Sequence, residues 1–296
     1  MNSISCAVSG VAIRPRPQFL RVLTAMVETC HMSLDQRVLV VGGSAGDEQL
    51  LLEAGFKHIV NSNLPTDMDR MAAANSNPEK QHLALDAEQL ELPDESFDLV
   101  FASEVLHHCI SPHRAVCEML RVSKRYVLFM EPNDSLAMRA LVRMNFSFPY
   151  ELPAVIDHNY QSGGLRDSHI PNFIYRWNRH EVFKTVSSCI PERIFSVHAD
   201  PYWDFSVTKE DLDLRKATRI GSITSLMGAS NFIFLLRLAQ LFLNCVLPLR
   251  SQGNKFFCCV EKSSDLKPWM TRDGEQIAFN RQYGSRSRPV MGIEPE

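Results

Sequence analysis

The sequence predicts an α/β fold: a doubly wound, mostly parallel sheet of seven strands, with two insertions that reach over one rim. Three observations predict it. Residues 38–46, Val-Leu-Val-Val-Gly-Gly-Ser-Ala-Gly, form an apolar run that breaks into a glycine-rich turn and then a helix opening near Asp47. That is the pattern of a buried parallel strand whose following helix presents free N–H groups to a ligand. Strand and helix candidates then alternate as far as residue 131, the order of a parallel sheet covered on both faces. Two further strand candidates follow, 193–199 and 255–261, separated by a long insertion.

Taken in order, residues 1–36 read as an N-terminal helical segment before the first strand. Gly55 ends the helix that starts near Asp47, and residues 57–62 give the second strand. A helix is expected over 66–75, a third strand over 81–85 before Asp86-Ala87-Glu88, and a fourth over 96–103. A helix over 112–122 leads to the fifth strand, 126–131, which ends at Glu131-Pro132-Asn133. Asp134 or Asn133 is placed to cap a helix from Ser135 to about Met144. Asn178-Arg179-His180-Glu181 opens a helix to about Cys189, and residues 263–296 read as a C-terminal tail whose Arg281, Arg286 and Arg288 are too dilute to grip phosphate.

Residues 92–108 read Leu-Pro-Asp-Glu-Ser-Phe-Asp-Leu-Val-Phe-Ala-Ser-Glu-Val-Leu-His-His. With the glycine turn, the end of strand two and the acid after strand three, they give four landmarks in order. Over residues 37–131 the chain resembles the class I S-adenosylmethionine-dependent methyltransferases. The resemblance implies S-adenosyl-L-methionine as cofactor. It places Gly42, Gly43, Ser44 and Gly46 at the methionine end, Asn63 and Leu64 at the ribose hydroxyls, Asp86 with Ala87 and Glu88 at the adenine amine, and Ser103 beside them. It also implies that the last two strands pair at the sheet edge, so that residues 37–262 form the methyltransferase domain, with 146–177 and 200–254 inserted into a finished scaffold.

Two positions depart from the family pattern. Val40 stands where an acid is usual two residues before the first glycine, and Asn63 where strand two usually ends in an acid. A carboxylate makes charge-assisted bonds roughly twice as strong as neutral ones, so Asn63 should hold the ribose less tightly while still donating and accepting. These departures motivate a second reading, a methyltransferase-like binding or scaffold protein that no longer transfers methyl groups. The glycine turn and Asp86 weigh against it.

At 296 residues and 45% hydrophobic content, the chain can bury a full core. A net charge of −3 gives no electrostatic ground for a nucleic-acid partner. Residues 1–17 lack a charged start followed by an apolar run, so no signal peptide is expected. Eight cysteines without paired spacing predict reduced thiols in a cytoplasmic enzyme. His107, His108, Cys109, His113 and Cys117 cluster in sequence, but one helix cannot wrap three ligands around an ion, and no metal is expected there. Cys117, with Val116 and Leu120, reads as a helix face packed on the sheet.

Residues 146–177 leave the regular alternation and are dense in polar and aromatic side chains, which reads as a loop-rich substrate lid. The second insertion carries the apolar stretch 231–249, in which Arg237, Gln240 and Asn244 share one helical stripe. It is too polar and too short to span a bilayer. A helix buried against the sheet or against a second subunit in a homodimer is expected, with contact to a membrane surface or a lipid-linked substrate as the alternative.

An activated methyl leaves the protein to align a nucleophile, exclude water and, for a hydroxyl acceptor, remove its proton. Histidine suits that last task. His107 and His108 are expected bases, His158 and His169 in the lid are rivals, and Tyr160, Arg166 and Tyr175 are expected to touch the substrate. The lid phrase of residues 162–177 is similar to that of bacterial methyltransferases found with polysaccharide, glycolipid or secondary-metabolite pathways. That similarity implies a small-molecule acceptor, a hydroxyl of a sugar, glycolipid or secondary metabolite, with nitrogen or carbon methylation left open.

Overall fold

In the computed structural model, which describes residues 16–67, 82–216, 218–274 and 276–283, the strands fall where the apolar runs predicted them. The sequence-ordered elements are α1 (Pro17–Thr29), β1 (Arg37–Val41), α2 (Ala45–Glu53), β2 (His58–Asn63), β3 (His82–Ala84), β4 (Phe97–Ser103), α3 (Pro112–Val122) and β5 (Ser123–Pro132). There follow α4 (Leu136–Arg143), α5 (Leu152–Asp157), α6 (Arg179–Cys189), β6 (Arg193–Tyr202), α7 (Lys209–Leu214), α8 (Arg219–Met227), α9 (Ala229–Cys245), α10 (Leu247–Arg250) and β7 (Lys255–Leu266). Only the first residues of the helix expected over 66–75 are described, as a 3-10 turn at Pro65–Asp67, and the rest lies outside the described residues.

The sheet runs β3-β2-β1-β4-β5-β7-β6. The first five strands are mutually parallel, and β7 is antiparallel to both β5 and β6. Strand order reverses between β1 and β4, and a crevice outside the carboxyl ends of the strands is expected there. Alternation along β1 divides its side chains between two cores. Val38 and Val40 pack with Phe19 and Leu23 of α1 and Leu50 and Leu51 of α2. Leu39 and Val41 pack with Val116 and Leu120 of α3 and Val182 and Val186 of α6. Each such side chain contributes about 1.5–3 kcal/mol by leaving water, so β1 is fixed from both faces and the turn after it is held still.

Three expectations change. The tail is structured at its start: β7 continues to Leu266, and Met270–Asp273 pairs with Gln276–Phe279 in a hairpin, β8–β9. Cys117 is only partly buried, whereas Ala115, Val116, Met119 and Leu120 around it are fully buried. It meets α6 instead and forms a disulfide with Cys189, their Cα atoms 5.6 Å apart, an ordinary separation for that bond. The expectation of reduced thiols fails at this pair because its 72-residue spacing closes only through helix packing.

Third, α9 is not buried. Two residues of its polar stripe face inward, while Arg237 is exposed: Gln240 accepts the Phe205 N–H, and Asn244 accepts from and donates to the Trp203 backbone. Its apolar circumference faces outward, with Phe234, Leu238, Leu241 and Phe242 all exposed. Among the described residues no single helix is long and apolar enough to cross a membrane; α8 and α9 reach that composition only as a pair bent by 111°.

Candidate active site

At the end of β1, Gly42 takes a φ of +61°, a region open to glycine without steric cost. A Cβ at this position would lie 2.5 and 2.8 Å from the two Val105 methyls. Gly43 N–H donates to Ser62 O at 2.9 Å, which ties the turn to β2. Ser44 caps α2, and Asp47 returns the bond in a reciprocal capping box. Gly46 lies in the first turn of α2.

A cleft of about 440 Å³ opens above this turn, within the range of roughly 300–1,000 Å³ usual for small-molecule sites. Arg16, Gly42, Ser44 and Asp47 line it beside the turn after β1, Asn63 and Leu64 at the end of β2, and Asp86, Ala87 and Glu88 after β3. Ser103, Glu104, Val105 and His108 form the floor, and Ala154, His158, Gly163, Gly164 and Arg166 come from the lid. Of the ten residues expected at the cofactor, Gly43 and Gly46 alone are off this wall, one behind the turn and one inside α2. A cation and a helix N-terminus, then a two-way amide, then carboxylates offer the donors and acceptors that a carboxylate, a diol and an amine strung along one molecule require.

Asn63 is held by its own loop: its Oδ1 accepts Leu64 N–H at 2.8 Å and its Nδ2 donates to Gly43 O at 3.4 Å. Asp86 Oδ1 accepts Glu88 N–H. The two oxygens of Glu88 accept the N–H groups of Ile110 and Ser111 at 3.0 and 2.8 Å, capping α3, whose own Ser111 side chain makes no cap bond.

Arg166, expected at the substrate, lines the cleft and also latches the lid. Its guanidinium binds Glu88 Oε2 at 3.2 Å and, still more closely, Asp86, so the lid is fastened to the two acids that follow β3. Its backbone sits at φ +52° and that of Asp167 at φ +56°, strained conformations that non-glycine residues hold where the surroundings fix them.

His107 does not face the cleft. Its side chain is buried between two carboxylates, with Nδ1 2.5 Å from Glu131 Oε2 and Nε2 3.1 Å from Glu151 Oε2. Burial alone would push its pKa down, but the charges and hydrogen bonds of Glu131 and Glu151 outweigh it and hold it up at about 10. An imidazolium so held cannot accept a proton at neutral pH, which removes His107 as a base. Glu131 also accepts the N–H groups of Val105 and Leu106 at 2.8 and 2.7 Å, fixing the turn. The Glu151 carboxyl is partly buried, which opposes ionisation, yet hydrogen bonds from both histidines hold it well below the usual range.

His108 lines the cleft, with Nδ1 3.1 Å from Gly164 O and Nε2 3.2 Å from Glu151 Oε2. His158 lines it from the lid, and its Nδ1–H donates to Ala154 O at 2.7 Å. His169 and Tyr160 are exposed and off the cleft wall. Tyr175 is likewise corrected: its hydroxyl contacts His113 and Glu181 at 3.1 and 3.2 Å, and its ring packs on Trp177. It braces α6 against the lid's end.

Sequence reasoning missed Arg16, which binds Asp47 at 2.6 Å and reaches Ser103 at 3.3 Å. No local signal marks it, since it reaches the cleft only because α1 lies across β1 and β4. It also missed Glu104, at φ +56° and paired with Lys255 of β7, and Glu151. Glu131 was readable as a strand-end acid, though its partner was not.

Residues 39–130 match the methyltransferase domain family. No curated protein sequence is significantly similar to the chain. Similar solved structures include an S-adenosylmethionine-dependent methyltransferase from Thermotoga maritima (13% identity, 83% of this chain and 91% of that one, TM-score 0.44). Others are one from Archaeoglobus fulgidus (12%, 82% and 94%, 0.42) and the magnesium protoporphyrin IX methyltransferase of Synechocystis with bound S-adenosylhomocysteine (14%, 61% and 74%, 0.39). Residues 39–130 supply the glycine turn, Asn63, Asp86 and the cleft floor, so the part of the chain that is similar to a methyltransferase domain is the part that builds the cleft.

Proposed function

We propose that the acceptor is a hydroxyl of a small molecule, a sugar, glycolipid or secondary metabolite, and that His158 removes its proton. One observation carries this reading. The carbonyl of Ala154 can only accept, so the Nδ1 of His158 holds the proton of the neutral ring, and Nε2 is left as an acceptor on the cleft wall. Held by Gly42 and Ser44, Asn63 and Leu64, and Asp86 to Glu88, S-adenosyl-L-methionine supplies a methyl already activated for in-line displacement. The protein's own work is alignment, exclusion of water by the Arg166 latch, and proton removal.

A glycolipid acceptor draws support from α9. Since β6 is antiparallel to β7 and β7 to β5, β6 points the same way as β5, and the insertion after Tyr202 emerges on the cleft rim. The outward apolar face of α9 therefore belongs to the side from which an acceptor enters, where it suits a lipid tail or membrane surface.

Calorimetry with S-adenosyl-L-methionine, followed by a panel of sugars, glycolipids and metabolites scored for gain of one methyl, tests the reading. An oxygen-methylated product with the wild type and none with His158→Ala is expected. Methylation confined to nitrogen or carbon acceptors would reject the hydroxyl assignment. Flotation with liposomes tests the role of α9, and no binding at low salt would remove it.

A further inference from the structure

We propose that His107, His108 and Glu151 bind a divalent transition-metal ion between the turn after β4 and the lid. The Nε2 atoms of the two histidines lie 3.1 and 3.2 Å from the same carboxylate oxygen, Glu151 Oε2, and all three atoms fall within 4.8 Å of one another. Ligand atoms about 2.1 Å from an ion, subtending roughly 90–110°, lie about 3.0–3.4 Å apart. Both measured edges fit.

A second observation points the same way. Each imidazole has its other nitrogen on an acceptor: His107 Nδ1 on Glu131 Oε2 at 2.5 Å, and His108 Nδ1 on Gly164 O at 3.1 Å. Such outer partners fix the ring orientation and aim Nε2 at a metal. Asn172 holds the third ligand, its Nδ2 donating to Glu151 Oε2 at 3.3 Å and to His107 O at 3.1 Å.

The ligands come from two segments, so the objection to a single helix does not apply. Two carboxylates, Glu131 and Glu151, flank His107, and their charge matches a dication that replaces the Nε2 proton. Two imidazoles and a carboxylate suit zinc or iron(II) over magnesium or calcium, and three protein ligands leave positions open. His108 and Glu151 are the partly exposed members, and His108 lines the cleft. Because Glu151 belongs to the lid and the histidines to the turn after β4, the ion fastens one to the other.

The test needs neither cofactor nor acceptor, so it stands apart from the acceptor assignment. Metal-stripped protein is titrated with zinc chloride by calorimetry, and retained zinc is measured after gel filtration. One equivalent per chain is expected, with at least a tenfold loss of affinity in His108→Ala and in Glu151→Gln, and none in His169→Ala. X-ray absorption at the zinc edge of the wild type should show only nitrogen and oxygen neighbours, at about 2.0–2.2 Å. No retained zinc, sulfur neighbours, or stoichiometric zinc unchanged in folded forms of both ligand variants would each overturn the proposal.

Discussion

Replacing Gly42 by alanine should damage both stability and cofactor binding. The backbone at φ +61° costs an alanine about 1–2 kcal/mol. The new methyl would stand 2.5 and 2.8 Å from the Val105 side chain, an overlap of the kind that costs about 1–3 kcal/mol in a packed site. Val105 cannot retreat freely, since its N–H is bound to Glu131 at 2.8 Å. The sum, about 2–5 kcal/mol, should lower Tm by roughly 5–15 °C in a domain of this size. Because Gly42 and Val105 both line the cleft, affinity for S-adenosyl-L-methionine should fall at least about tenfold, which corresponds to 1.4 kcal/mol. Scanning and titration calorimetry read both effects. Adding Val105→Ala separates the two causes: it should recover the steric part and leave the backbone part, giving a coupling of more than about 1 kcal/mol in the double-mutant cycle. An unchanged Tm in Gly42→Ala, or strict additivity in the cycle, would refute the reasoning.

Further outcomes are expected elsewhere in the site. Arg166→Ala should release the lid, raising its proteolysis rate and lowering turnover about tenfold; Tm should move little, because this ion pair is partly exposed and worth at most about 1 kcal/mol. His158→Ala should cut turnover by about 10²–10⁴ with cofactor affinity retained, the signature of a lost base; equal turnover in stopped-assay kinetics would exclude it. Hydrogen bonds from Lys184, His113 and Tyr175 outweigh burial and hold the Glu181 carboxyl down at about 2. A depressed carboxyl stabilises the fold above its unfolded pKa and loses that contribution as pH falls, here between about 4.5 and 2. Allowing for partial exposure, urea unfolding should show about 1–2 kcal/mol lost over that window and absent in Glu181→Gln.

Local chemistry made much of the scaffold legible. The apolar run 38–41, the glycines that end it, and the acids at 86 and 88 are properties of a few adjacent residues, and the structure places them where that pattern requires. The histidines show the limit. His107 and His108 are neighbours of the same type, yet one is locked between Glu131 and Glu151 and the other opens on the cleft. No spacing announces that division, because the carboxylates lie 24 and 44 residues away. In α9 the periodicity was readable but its direction was not: Gln240 and Asn244 turn inward because the backbone after β6 offers hydrogen bonds there. Arg166 and Arg16 reach the cleft through the lid and from just before the first helix. The sequence by itself determined the seven strands of the main sheet and the glycine turn, since these follow from hydrophobic period and backbone sterics. Only the tertiary structure decided which charged groups meet, since electrostatic partnership depends on distances that chain separation does not encode.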